Sequence, residues 1–154
     1  MIIGVGIDLL NIDRVGRLLR QASGERFIER VLTPGERELL EKRLGVSIPE
    51  AMAAWHEASS AGQAAAPRTG RLTEFVAGRF AAKEAVVKAL GCGVGKAVGF
   101  QDIEVLPDAL GKPEVRLSAA ASERLAFGAG FRIHLSITHS RDTAGAYAVA
   151  ERID

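Results

Sequence analysis

The chain opens on an alternating run. Over residues 2–9, Ile3, Val5, Ile7 and Leu9 fall on one side of an extended strand, and Ile2, Gly4, Gly6 and Asp8 fall on the other. The spacing then turns helical: Ile12, Val15, Leu18 and Leu19 form an apolar stripe that predicts a helix over 12–21. Thr33-Pro34-Gly35-Glu36 reads as a helix start, with Thr33 as cap, Pro34 in the first turn and Glu36 closing a capping box. That helix is read to end near Gly45. Phe75, Val76, Phe80, Val87 and Leu90 recur at helical spacing and predict a helix over 72–90, stopped by Gly91. Strands follow over 101–106 and 113–117, joined by a turn from Pro107 to Pro113. A helix over 118–127 and two closing strands, 131–138 and 143–150, complete the pattern, with a turn near Arg141-Asp142.

Residues 45–70 break this regularity. They are rich in alanine, with Gly, Ser and Pro scattered among them. Pro49 to Ala61 is read as a short helix carrying Met52 and Trp55. Residues 56–70 have few large apolar groups to offset their ordering entropy, so a mobile loop outside the catalytic centre is expected there. The order β-α-α-loop-α-β-β-α-β-β implies a single α+β domain over 1–154 with a mainly antiparallel sheet and a long central helix. No internal repeat is evident.

Composition narrows the class. A chain of 154 residues, 47% apolar and 25% charged, can bury a core without disulfides. Its one cysteine, Cys92, fits a reducing compartment. The first ten residues lack a basic leader region and are interrupted by Asp8, so they do not read as a signal peptide. No apolar run approaches a membrane span. A cytoplasmic location is expected, with no membrane. The net charge of +1 argues against a general nucleic-acid binder. Arginines nonetheless crowd one early segment: Arg14, Arg17, Arg20, Arg26 and Arg30.

Three features carry candidate chemistry. Asp8 lies on the glycine-bearing face of the first strand, where small neighbours permit a bulky ligand to approach; the plain alternative is a turn former or helix cap. Glu84 and Lys88 share a helix face at i,i+4, as do Arg79 and Lys83, with Phe80 one turn before Glu84. This is either a solvated ion-paired helix or a carboxylate for a hard cation flanked by cations for phosphate. His134, Ser136 and Thr138 alternate with Ile133, Leu135 and Ile137, giving either a wet strand face or a row of donors for an anion. The third histidine, His56, has no evident partner. The Gly-rich stretch Gly91 to Lys96 fails as a phosphate-binding loop: Leu90 and Ala97 stand where Gly and Ser or Thr are needed, and it follows a helix. No zinc pattern or nucleophile elbow is present.

Gly4-Val5-Gly6-Ile7-Asp8, then Arg79-Phe80-Ala81-Ala82-Lys83-Glu84-Ala85 with Lys88, then His134-Leu135-Ser136-Ile137-Thr138-His139 occur in that order. Together they closely resemble the holo-[acyl-carrier-protein] synthase family of 4′-phosphopantetheinyl transferases, along nearly the whole chain. Gln101 to Val105 and Gly111-Lys112-Pro113 also look like family segments. Against the family, residues 45–70 read as an Ala-rich insertion.

The resemblance implies a Mg²⁺-dependent enzyme in which a serine of an acyl carrier protein attacks the β-phosphate of coenzyme A and adenosine 3′,5′-bisphosphate leaves. It implies Asp8 and Glu84 as metal ligands and Lys88 at the phosphates, these three being the catalytic set. Arg79, Lys83, Lys112, Pro113 and His134 are its further candidates for coenzyme A contacts. The proton acceptor is left open between Glu84 and a water on the cation. Arg14, Arg17, Leu18, Arg26, Phe27 and Arg30 become candidates for docking an acidic carrier protein. A homotrimer with sites between subunits is carried over from the family, as is a role in fatty acid biosynthesis. Two competitors remain: a transferase for polyketide or peptide synthase carriers, and a non-catalytic binding module.

Overall fold

The computed structural model describes residues 1–61, 67–126 and 130–153. Strand β1, Ile2–Asn11, leads directly into helix α1, Ile12–Leu19, with the Asn11 side chain capping the Arg14 amide. Helices α2, Gly24–Val31, α3, Pro34–Leu44, and α4, Ile48–Ser60, follow. Each of α3 and α4 starts with a complete capping box, Thr33 with Glu36 and Ser47 with Glu50, and proline in the first turn. Gly45 ends α3 in the left-handed conformation at φ 70°, as the sequence suggests. The long helix α5 spans Pro67–Ala89. Beyond it lie β2, Ile103–Pro107, β3, Pro113–Leu117, α6, Ala119–Leu125, β4, Phe131–His139, and β5, Thr143–Arg152.

The sheet expectation holds in direction and fails in number. Among the described residues every strand ladder is antiparallel, but the strands form two sheets: β1-β5-β4 and β2-β3. Strand β3 contacts β4 without joining its ladder. Helix α2 was not foreseen, because its eight residues carry only three large apolar side chains and its N-cap, Ser23, makes no side-chain hydrogen bond. The loop expected over 56–70 is also shortened. Helix α4 continues to Ser60, and α5 begins at Pro67, where a missing amide costs nothing. Residues 62–66 lie outside the described residues, as does the last residue of the helix expected over 118–127. Met52 and Trp55 are core residues, and Arg20 lies over the Trp55 ring at 6.0 Å. His56 does find a partner, the Arg20 carbonyl at 3.2 Å.

Helix α5 joins two cores. Its first half packs with α1 to α4 around Val15, Leu19, Met52 and Leu72; its second half packs on the three-stranded sheet. Small residues permit the second contact. Ala144, Ala146, Ala148 and Ala150 of β5 are buried beneath it, and Ala81, Ala82 and Ala85 of α5 are fully buried. On β1 the approach is closer. A Cβ on Gly4 would overlap the Ala89 carbonyl oxygen, and one on Gly6 would overlap that of Ala85. The bare face read from the sequence is therefore filled by α5, not by a ligand. The opposite face of the sheet carries the exposed side chains: Val5, Ile7 (59% exposed) and Leu9 on β1, with Tyr147 beside them. Among the described residues no helix is long and apolar enough to cross a membrane.

This packing yields a test. Gly6→Ala is expected to cost about 2–3 kcal/mol, the upper range for overpacking a well-filled contact, because backbone must move. Gly93→Ala, where a Cβ would meet nothing within 4 Å, should stay within about 0.5 kcal/mol. Urea titration of both variants measures the difference; equal midpoints would contradict the close crossing.

Candidate active site

The crossing of β1 and α5 sets the site. Asp8 stands on the α5-facing side of β1, two residues beyond Gly6. Lys88, on the last turn of α5, donates to Asp8 Oδ1 at 2.8 Å and to the Ile7 carbonyl at 2.9 Å. Two of its three protons are thus used, and its side chain remains half-exposed. Glu84 lies one turn earlier on the same helix face and is partly buried. Its carboxyl is pushed above the usual carboxylate range, first by burial and then by the Asp8 charge, with Lys88 opposing. Two carboxylates therefore face each other closely enough to repel. Among the described residues no group of three or more His, Cys, Asp or Glu side chains gathers at one point.

Farther back along α5 a cavity of about 530 Å³ opens between α3, α5, the β2–β3 turn and β4. Its ionisable walls are Arg43, Arg71, Arg79, His139 and Glu74. Arg79 and Glu84 are five residues apart, about 8 Å along the helix axis. Arg79 Nε donates to the Val105 carbonyl at 3.0 Å, and its guanidinium lies over the Phe75 ring at 4.5 Å. Burial, more than the Arg43 charge, pulls its proton affinity down to about 10, with Glu36 opposing; it is still a cation at neutral pH. Pro113 and Gly111 border the same cavity. Gly111 has φ 87° in a turn held by Asp108, whose Oδ1 accepts from the Leu110 and Lys112 amides. Nothing local in the sequence marks Arg43 or Arg71 as cavity residues, and His139 stands there only as the end of a motif, since their elements meet only in three dimensions.

One sequence expectation is corrected. Lys83, a candidate for coenzyme A, is fully buried. Its ammonium donates to the Val31 carbonyl at 2.6 Å, Glu36 Oε2 at 2.7 Å and the Phe100 carbonyl at 2.9 Å. All three protons are spent inside the protein. Burial lowers its proton affinity and Glu36 opposes that shift. Within one chain, Leu135 is buried toward α5 and His134 and Ser136 point to the opposite face of the sheet, away from that chain's own Asp8 and Glu84, while Thr138 borders the cavity. His134 Nε2 pairs with Glu151 Oε2 at 2.8 Å. Lys112 and His134 share a smaller pocket between β3 and β4 with Arg132.

The early basic cluster is exposed as a surface. Arg14, Arg17, Arg26 and Arg30 are exposed, and Leu18 and Phe27 are half-buried between them. Phe27 stacks on Phe80 at 6.2 Å between ring centroids. Phe80 is one helical turn before Glu84, so this surface adjoins the carboxylate pair.

Residues 4–150 match the model of the ACPS family, described as the 4′-phosphopantetheinyl transferase superfamily. The chain belongs to that superfamily. A holo-[acyl-carrier-protein] synthase of Geobacillus kaustophilus is 41% identical over 153 residues, which span 99% of this chain and 92% of that relative. The solved holo-[acyl-carrier-protein] synthase of Neisseria meningitidis superposes with a TM-score of 0.72 at 37% identity, covering 99% of this chain and all of that one. That of Bacillus anthracis, solved in complex with coenzyme A (3′,5′-ADP), gives 0.69 at 38% identity, covering 99% and 98%. These similarities run nearly end to end, over 99% of this chain in each case.

The repelled carboxylates make this candidate site measurable without turnover. Folded Glu84 binds a proton more readily than unfolded Glu84, so stability falls as pH rises from the ordinary carboxylate range through the raised folded value. In the free protein, Glu84→Gln should therefore raise the thermal midpoint at neutral pH, and the gain should vanish near pH 4, about the ordinary glutamate value. Melting curves across that range test it. A difference that does not change with pH would contradict the assignment.

Proposed function

We propose that the chain transfers the 4′-phosphopantetheine arm of coenzyme A to a serine of apo acyl carrier protein, releasing adenosine 3′,5′-bisphosphate and supplying holo carrier for fatty acid biosynthesis. The observation that carries this reading is the meeting of Asp8, Glu84 and Lys88 at one point in a chain about 40% identical, end to end, to holo-[acyl-carrier-protein] synthases. Phosphoryl transfer needs positioning and charge neutralisation more than covalent chemistry from the protein. The site offers both.

The residues fit Mg²⁺. A small hard cation takes one or two carboxylates and completes its shell with phosphate oxygens and water. Asp8 and Glu84 supply that pair, and their mutual repulsion is what a cation would relieve. When bound, the ion neutralises charge on the diphosphate. Lys88, anchored on the Ile7 carbonyl and Asp8, presents its remaining proton beside the leaving phosphate.

The nucleotide end of coenzyme A fits the cavity behind. Arg43, Arg71, Arg79 and His139 suit its phosphate, while Phe75 and Pro113 give apolar wall for the base. Lys112 adjoins that rim. The surface of Arg14, Arg17, Leu18, Arg26, Phe27 and Arg30 receives the acidic carrier. Its junction with Phe80 brings the carrier's serine toward Glu84. A homotrimer is part of this reading, supported by the exposed apolar row of Val5, Ile7, Leu9 and Tyr147, which closed symmetry would bury. So is a cytoplasmic setting, consistent with a lone cysteine.

Mass spectrometry tests the reading. Apo acyl carrier protein, coenzyme A, Mg²⁺ and this chain should yield carrier heavier by one phosphopantetheine on serine. Asp8→Asn should reduce the rate at least a hundredfold while remaining folded. No mass gain, or an unaffected Asp8→Asn variant at limiting Mg²⁺, would overturn it. Native spectra should show three chains; a monomer at micromolar concentration would remove the trimer.

A further inference from the structure

Helix α2 ends in an unusual way. The last turn of any helix leaves carbonyls without amide partners. Here the Ile28 carbonyl is taken by the Leu32 amide, but those of Glu29, Arg30, Val31 and Leu32 are served from outside the helix. Lys83 of α5 takes Val31. The other three converge on one side chain. Gln101 Nε2 donates to the Glu29 carbonyl at 2.8 Å, the Leu32 carbonyl at 2.8 Å and the Arg30 carbonyl at 3.2 Å. With two protons and three acceptors, one proton is shared. All the partners are carbonyls, so the nitrogen end of the carboxamide must face them.

Gln101 is itself mounted rigidly. It sits in a short 3₁₀ turn, Phe100–Asp102. Asp102 holds that turn by accepting from the Gly99 amide at 2.9 Å, Ser118 Oγ at 2.5 Å and Arg124 at 2.7 Å. The carbonyl of the adjacent Phe100 accepts from Lys83, the residue immediately before Glu84. The Phe100 ring packs on Phe80 at 5.1 Å, and Phe80 packs on Phe27 of α2. Gln101 thus bridges the helix that bears Arg26, Phe27 and Arg30 to the turn that anchors the catalytic part of α5. Nothing in the mechanism uses it, and it lies at the surface, where a packing role is small.

We propose that Gln101 is a positioning residue for carrier recognition: its carboxamide locks the C-terminus of α2, and so fixes the docking side chains relative to Glu84. The inference rests on the reading of α1 and α2 as the carrier-docking surface. It separates the two substrates. Coenzyme A lies along α5 and the cavity, which Gln101 does not touch; the carrier meets α2, which it holds.

Gln101→Met keeps length and removes both donors without adding charge. It should raise the KM for apo acyl carrier protein about fivefold or more. The KM for coenzyme A and the turnover at saturating carrier should stay within twofold. The salt dependence of the carrier KM should match that of the unaltered protein, because the arginines remain. In the free variant, amide exchange should accelerate in residues 24–32 and not in 81–88, a readout independent of activity. Arg26→Glu with Arg30→Glu is the comparison: it should raise the carrier KM and flatten its salt dependence. If that double variant raises the carrier KM while Gln101→Met leaves it unchanged, or raises both substrates' KM alike, the positioning role is wrong. If Gln101→Met acts and the arginine variant does not, the docking reading fails instead. If neither changes the carrier KM, both fall.

Discussion

Helix α5 meets β1 backbone against backbone, the Ala85 and Ala89 carbonyls standing where side chains on Gly6 and Gly4 would be. That contact fixes how far the last turns of the helix lie from the strand. Asp8 follows Gly6 by two residues on the same side, and Glu84 and Lys88 bracket Ala85 on the helix. The Lys88–Asp8 bond and the raised proton affinity of Glu84 both follow from this short separation. The alanines of β5 extend the same device across the sheet, so the helix rides low along its whole second half.

A second constraint places the rest of the site around that helix. The Glu36 carboxylate is wholly buried. One oxygen accepts from the Thr33 amide and Lys83, the other from the Val105 amide. Arg79 stands 3.8 Å from it. A buried ion pair stabilises little in net terms, because desolvation offsets attraction, but removing one partner strands a charge at a cost of about 3–5 kcal/mol. Its effect here is arrangement. It joins the start of α3, the end of α2, β2 and the middle of α5, and so determines which way Arg79 faces the cavity. Lys83 is thereby used for architecture, while Glu84, its neighbour in sequence, turns toward Asp8 and Lys88.

Local signals were legible from sequence wherever the chain itself supplies the reason. The capping box at Thr33, the left-handed Gly45 and Gly91, the helix through Phe75 to Leu90 and the paired strands at both ends all appear near their expected bounds. Asp8, Glu84 and Lys88 could be named through resemblance, and the structure brings them together. What could not be read depends on partners distant in sequence. Periodicity marks Lys83 as a polar helix residue, but three acceptors at Val31, Glu36 and Phe100 decide that it is buried. The glycine face of β1 looked open because the strand was read without the helix that covers it. His139, Arg43 and Arg71 come from three elements and acquire a common purpose only at the cavity.

In the proposed function, β1 and α5 together would hold a divalent cation between Asp8 and Glu84. Paramagnetic broadening by Mn²⁺, titrated into the protein with coenzyme A and read on assigned amide resonances, tests it most directly. Broadening is expected to centre on residues 7–9 and 82–88, to be abolished by Mg²⁺ competition and to be absent in Asp8→Asn. Broadening centred instead on the acidic groove of Glu25, Glu29, Glu38 and Glu41, with residues 7–9 and 82–88 unaffected, would contradict it.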